Sequence, residues 1–324
     1  MANQNLNVDL VLEGGGVKGI GLVGAALELA DAGYYFPRVA GTSAGAIVGS
    51  LIAAYQRAGM DLHGLVDVMH SVDYKRFDTG WPLPNWTGIV GDGWDAALFG
   101  GAHSSDYLVE WLGPELEKAG VRTFRDLAIT DPRSSLAPYQ RYSLVVHVTD
   151  LSRRALVRLP WDYARYDKDA DTESVAEAVR ASMSIPLYFR PVEVRTSRGK
   201  VTWVDGGVLS LFPVTVFDRT DGKKPRWPTW GIKLTGQPKV EPDEPIRTGV
   251  GIAVNTLATV VSDWNMYHLE DEGVNRRTIY VDTSGVSPND FNIDAATQDR
   301  LFENGRIAAR KFLETQVSTP PSLM

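Results

Sequence analysis

The chain has no cysteine. That excludes a disulfide framework, a thiolate metal site and a cysteine nucleophile, and it fits a reducing compartment. An excess of cations is missing too: 33 Lys and Arg stand against 40 Asp and Glu, for a formal net charge of −7. Nucleic-acid-binding domains ordinarily carry a basic patch or a high isoelectric point, so no nucleic-acid partner is expected. An acidic chain also gains no general attraction to anionic lipid surfaces. No apolar run approaches the ~20 residues that a membrane-spanning helix needs. The opening MANQNLNVDL lacks a basic stretch followed by an apolar one, so no secretory signal is read and a cytoplasmic location is expected. Histidine is scarce, with five in the chain. No two have zincin spacing and no calcium-loop pattern occurs, so neither a metal nor another cofactor is expected.

What is present suits a globular enzyme. Hydrophobic residues make up 44% of 324 positions, ample for one large α/β domain. Short apolar or β-branched runs at Val8–Leu12, Tyr142–Val148, Ala155–Leu159, Val201–Val204, Trp230–Leu234 and Thr278–Val281 read as strands. Helical periodicity marks the stretches after Gly19 and after Ser43, and 61–70, 105–119, 173–184, 246–267 and 296–313. Strands alternating with helices predict an α/β domain with a mainly parallel sheet, spanning 8–313, with polar tails at 1–7 and 317–324. Residues 75–102 break the pattern, with Phe77, Trp81, Trp86, Trp94 and Phe99 set among glycines and prolines. An irregular segment of that length is often functional. It reads either as a cap over an apolar pocket or an interfacial patch, or as an inserted loop whose aromatics pack on the body.

The chemistry concentrates in VDLVLEGGGVKGIGLVGAALELADAGYYFPRVAGTSAGAIVGSLIAA, from Val8 to Ala54. Here two strand–glycine turn–helix units follow one another. The second turn, Gly41-Thr42-Ser43-Ala44-Gly45, matches G-x-S-x-G, a sharp corner that exposes a serine Oγ at a helix N-terminus. Alone it is equally a helix-capping serine. The first turn, Gly14-Gly15-Gly16-Val17-Lys18-Gly19, can aim backbone N–H groups at that serine. It also matches the dinucleotide fingerprint G-x-G-x-x-G over 14–19, an alternative reading as an oxidoreductase. That reading wants an acidic residue at the end of the next strand, where this chain places Val39-Ala40-Gly41 and the serine.

GGGVKG, then GTSAG, then Asp205-Gly206-Gly207 far downstream, resembles the patatin-like phospholipase family, in the family's order and across about Val8 to Leu313. The resemblance implies a single three-layer α/β/α domain. It also implies a serine acyl hydrolase of phospholipase A, lysophospholipase or lipid esterase type, working through a Ser–Asp dyad and an acyl-enzyme. Carried onto this chain, Ser43 is the expected nucleophile and Asp205 its general base. Gly14, Gly15 and Gly16, with Ala44, are the expected oxyanion donors. Lys18, Gly206 and Gly207 are candidates for shaping the substrate loop. Its implied partner is a lipid or ester substrate, met in transient contact with a membrane surface. AVRASMSIPLYFRPV resembles the family's helix that ends at proline. Where the family often has Asn-Asn-Pro after DGG, this chain has Leu211-Phe212-Pro213.

Two further alternatives stand beside this reading. Ser43…Asp205…His268 would reproduce a hydrolase triad order, although His268 continues a helical pattern in Trp264-Asn265-Met266-Tyr267. The other is a catalytically silent lipid-binding module.

Overall fold

The structure is a computed structural model, which describes residues 6–77, 105–132, 134–186, 188–235, 272–288 and 290–318. In chain order its first half holds β1 (Leu6–Asn7), β2 (Asp9–Leu12), α1 (Gly19–Asp31), β3 (Tyr34–Tyr35), β4 (Val39–Thr42), α2 (Ala44–Ala58), α3 (Gly64–His70) and α4 (Asp106–Lys118). Then come β5 (Leu144–Asp150), β6 (Ala155–Leu159), α5 (Val175–Ser182), β7 (Val192–Thr196) and β8 (Gly199–Asp205). The last elements are β9 (Thr229–Thr235), α6 (Glu272–Asn275), β10 (Thr278–Asp282) and α7 (Ala295–Ser318).

The architecture is α/β with a mainly parallel central sheet, in the order β10-β9-β2-β4-β5-β8-β7, with β6 on the second edge of β5. From β10 to β5 every neighbour is parallel. β6, β8 and β7 join antiparallel. β7 has weak apolar character, Val-Glu-Val-Arg-Thr, and was not anticipated; pairing with β8 makes it a strand.

The two sheet faces differ in chemistry. Towards the helices point Leu12, Val39 and Leu144, which meet the helix glycine Gly49, and Leu234 and Val281, which meet Gly21. α1 packs along α7, where Arg306 bridges Glu28 and Asp31 at 2.8 and 2.9 Å. Side chains alternate along a strand, so the other face receives Asp9, Glu13, Arg38, Thr42, His147 and Lys233, all under 9% exposed. Burial of charge is costly unless it is paired, and these charges are paired. Arg38 Nε donates to both Asp9 oxygens at 3.1 Å, and Lys233 Nζ lies 3.2 Å from Glu13 Oε1. The segment after Asp205 covers this face, with Phe212 against Gly231 and its ring 5.4 Å from Lys233 Nζ.

The expected helix from Asp61 begins at Gly64, and α7 runs to Ser318, beyond the expected end at 313. Of the aromatic segment 75–102, only 75–77 are described. Phe77 is buried there, edge-on to Tyr107 and Phe189. The remainder of that segment, the helical pattern at 246–267 and His268 lie outside the described residues.

Candidate active site

Register brings Ser43 and Asp205 together. β4 runs along one edge of β5 until Thr42 sits opposite His147. β6 occupies the other edge, pairing Leu159 with Val146 through Ala155 with Asp150. β8 pairs Asp205 with Val148 and Trp203 with Asp150, so it must lie on the edge that β4 has just vacated. Two strands therefore approach one another end to end on β5, from opposite directions. The residue after β4 is Ser43, and the last residue of β8 is Asp205.

The serine corner is tight. Ser43 has φ 53° and ψ −124°, a left-handed φ that costs a non-glycine residue of order 1–3 kcal/mol and is held only by its surroundings. Those surroundings include the two motif glycines. A Cβ at Gly41 would lie 2.1 Å from the Gly45 carbonyl oxygen, and one at Gly45 would lie 2.3 Å from the Leu12 carbonyl oxygen. No other residue fits where α2 leaves the end of the sheet.

Three consecutive residues at the end of α5 hold the pair, and sequence reasoning did not single them out. Ser43 N–H donates to Ser182 Oγ at 2.9 Å, and Ser182 Oγ donates to the His147 carbonyl at 2.6 Å. Ser43 Oγ donates to Met183 Sδ at 3.3 Å. Asp205 N–H donates to the Ser184 carbonyl at 2.9 Å. The available signal was AVRASMSIP, already a match to the family's Ala-Ser helix before proline.

Asp205 is 4% exposed and Ser43 3%. Asp205 Oδ1 accepts the Gly207 N–H at 2.6 Å, whereas Oδ2 has no hydrogen-bond partner among the described residues. Burial pushes the carboxyl up from 3.8 to about 7, against the Gly207 N–H and the neighbouring Ser43 hydroxyl, which pull it down. Such a group can take up a proton near neutrality. The serine hydroxyl lies 3.3 Å from Met183 Sδ and beside the Asp205 carboxyl, which feels it. Among the described residues no histidine bonds to either member. His147, behind the corner, has Nδ1 3.3 Å from the Gly41 carbonyl, and burial pushes it down to about 4.

The glycine turn faces Ser43: a Cβ at Gly14 would come 3.1 Å from Ser43 Cβ. Its N–H groups are not equivalent. Gly14, expected as an oxyanion donor, is buried and donates to the Leu211 carbonyl at 3.1 Å. Gly15 and Gly16 are half-buried, and their N–H groups have no backbone acceptor among the described residues. Gly16 has φ +56°, and a Cβ there would lie 1.9 Å from the Pro288 carbonyl oxygen, so only glycine fits. Beneath the turn, Glu13 accepts Leu234 N–H at 2.6 Å and pairs with Lys233, tying the end of β2 to β9. Burial lifts Glu13 to about 7, with Lys233 opposing. Lys18 is half-buried; burial lowers its pKa, and the Glu13 charge resists. Gly207 holds Asp205, and a Cβ at Gly206 would lie 2.4 Å from the His147 carbonyl oxygen. Both glycines therefore shape the Asp205 turn.

A cavity of about 30 Å³ adjoins the pair, lined by Gly16, Val17, Ala44, Ile47, Met69 and Met183 among others. A larger one, about 720 Å³, opens near Arg38 and Ser143, at the starts of β4 and β5 and so at the far end of the sheet from Ser43. Chemistry outranks volume here, and the small apolar cavity belongs to the site. Among the described residues, no group of three His, Asp or Glu could hold a metal ion, and no helix is long and apolar enough to cross a membrane.

Comparison with known proteins bears on the family and the fold. The family model described as patatin-like phospholipase matches residues 10–218. An uncharacterized protein of Bacillus subtilis strain 168, YqhO, is 31% identical over 310 residues, covering 95% of this chain and 98% of that one. An uncharacterized protein of Acanthamoeba polyphaga mimivirus, R571, is 24% identical over 305 residues, covering 92% and 90%. Among solved structures, VipD from Legionella pneumophila superposes with a TM-score of 0.53 at 19% identity, covering 96% of this chain and 67% of that one. At that identity the likeness concerns the fold.

Proposed function

Because this chain belongs to the patatin-like phospholipase family, we propose that it is a serine acyl hydrolase cleaving fatty acyl esters of lipids through Ser43 and Asp205. The observation that carries the reading is the meeting of a strained serine corner with a buried carboxyl whose Oδ2 has no hydrogen-bond partner among the described residues and whose pKa lies at about 7.

In this reading Ser43 Oγ attacks the ester carbonyl carbon, and its proton passes to Asp205 Oδ2. The carbonyl electrons move to oxygen, and the resulting oxyanion is met by the N–H groups of Gly15 and Gly16 and by that of Ala44 at the start of α2. Gly14 supports the turn through Leu211. Collapse of the intermediate expels the alcohol, which leaves with the proton from Asp205. Water then attacks the acyl-enzyme by the same route, releasing the fatty acid and restoring Ser43–H. A base with pKa near 7 suits this work better than an ordinary aspartate, which takes up a proton poorly at neutral pH. Lys18, beside the turn, is placed to offset negative charge on a lipid substrate. Transient contact with a lipid surface belongs to the same proposal. The dinucleotide alternative loses support, because β4 ends at Thr42 and is followed by Ser43 where that chemistry needs a carboxylate.

The test is labelling with a fluorophosphonate probe in wild type, Ser43→Ala, Asp205→Ala and His268→Ala. Labelling of wild type and His268→Ala, lost in Ser43→Ala and strongly reduced in Asp205→Ala, is expected. Loss in a folded His268→Ala protein would replace the dyad by a triad. A folded wild type that never labels, even with lipid vesicles present, would overturn the hydrolase reading.

A further inference from the structure

Met183 occupies a position the proposed chemistry does not explain. Its sulfur takes the hydroxyl of Ser43 at 3.3 Å, while the acceptor that the reaction needs, Asp205 Oδ2, stands buried in the same site with no hydrogen-bond partner among the described residues. A thioether is a weak acceptor and a carboxylate oxygen a strong one, so the resting arrangement is the poorer of the two hydrogen bonds. The same side chain is a wall of the apolar cavity. Gly16 and Ala44, at the oxyanion side, are walls too. A carbonyl held at Ser43 with its oxygen towards those residues has this apolar cavity beside it, of a chemistry that suits an acyl chain.

The cavity, about 30 Å³, has room for about two or three methylene-sized groups. An acetyl or propionyl group fits without rearrangement. An octanoyl chain does not. Of the walls, Met183 and Met69 are unbranched and flexible, the side chains best able to give way. Val17 and Ile47 are β-branched and stiff.

Resting on the assignment of Ser43 and Asp205, we infer that Met183 is a displaceable plug that couples acyl-chain entry to alignment of the nucleophile. A chain too long for the resting cavity pushes the thioether aside. Ser43 thereby loses its sulfur acceptor, and its hydroxyl turns to Asp205 Oδ2. A short acyl group leaves the plug seated and meets a misdirected serine. Met183 is thus a positioning residue that selects for chain length through turnover rather than through binding alone. Simple apolar contact would lower KM with each added carbon, whereas the plug raises kcat once the chain reaches it.

The experiment compares kcat and KM for p-nitrophenyl acetate and p-nitrophenyl octanoate in wild type, Met183→Leu, Met183→Ala and Ser43→Ala. Leucine keeps most of the volume but accepts no hydrogen bond; alanine removes both. Wild type is expected to show a kcat for octanoate about 10-fold or more above that for acetate, and both Met183 variants to collapse that ratio by raising acetate kcat. Met183→Leu carries the test if Met183→Ala fails to fold. Acetate and octanoate kcat changing in equal proportion in Met183→Leu would reduce Met183 to a packing residue and overturn the inference. Ser43→Ala separates the two readings. If it still turns over ester, the nucleophile assignment fails; if it is silent while the ratio in Met183→Leu stays at the wild-type value, the plug alone fails.

Discussion

Replacing Asp205 with asparagine is expected to cut ester turnover sharply and stabilise the fold, and both effects have one cause. The carboxyl is buried, and burial lifts its pKa from 3.8 to about 7. The unfolded chain releases this proton near the ordinary value, whereas the native state keeps it until about pH 7. Between those values the native state binds more protons, so stability falls as pH rises through the window and levels off above it. The rise is about 3 pH units, at about 1.4 kcal/mol each, so ionised Asp205 costs the native state at most about 4 kcal/mol at pH 8. Asparagine is uncharged in both states and removes that cost. Its oxygen can still accept the Gly207 N–H, which now donates to Oδ1 at 2.6 Å, although an amide is the weaker acceptor. The net gain is therefore expected at about 2–4 kcal/mol at pH 8 and about 1–2 kcal/mol at pH 5, fading towards pH 4. Glu13 titrates over a similar range, but it does so in both proteins and cancels in the difference. Urea unfolding of the two proteins at pH 5 and pH 8, beside octanoate turnover, makes the measurement. Turnover should drop by about 10²–10⁴ with loss of the general base. An asparagine variant less stable than wild type at pH 8, or equally stabilised at both pH values, would refute the claim that burial governs this carboxyl.

The same carboxyl sets the pH profile. Wild-type kcat/KM should fall as pH drops, with a single-proton midpoint at about 7; a midpoint near 4 would place Asp205 in water. Ser182→Ala leaves the Ser43 N–H and the His147 carbonyl without their shared partner. A loss of about 1–3 kcal/mol in urea unfolding, with reduced kcat, is expected, and an unmoved unfolding midpoint would deny Ser182 its role. Lys233→Met strands Glu13 in the sheet interior. At pH 8 this should cost about 3–5 kcal/mol. Burial holds the Glu13 pKa at about 7, so at pH 5 the carboxyl is protonated and the loss should shrink. Adding Glu13→Gln should recover most of it, and a pH-independent loss would mean the pair is not ionised in the native protein.

Much of the site could be read along the chain. The serine corner is a local object: Gly41 and Gly45 are required by contacts within the turn and with the adjacent strand end, and a five-residue pattern records them. The same holds for the glycine turn, where Gly16 takes a left-handed φ, and for Asp205 ahead of two glycines. Parallel β2 and β4, each followed at once by a helix, announce themselves because hydrophobic period and turn chemistry act over a few residues. The aromatic segment gave no period, and its one described ring, Phe77, packs into the body.

What could not be read there depends on partners far apart in sequence. That β8 arrives antiparallel on β5 where β4 stops is a register between strands, and nothing inside Val201–Val204 encodes it. The support from Ser182 and Met183 reaches Ser43 across about 140 positions, so serine and methionine in a small-residue helix look like ordinary packing until the fold places them. The glycine motif offers Gly14 as a donor, but its N–H faces Leu211, a partner 197 positions on. The pKa of Asp205 is the sum of everything that excludes water from it. Motif chemistry is local and therefore written in order along the chain; alignment, burial and proton affinity are collective, and only the packed sheet supplies them.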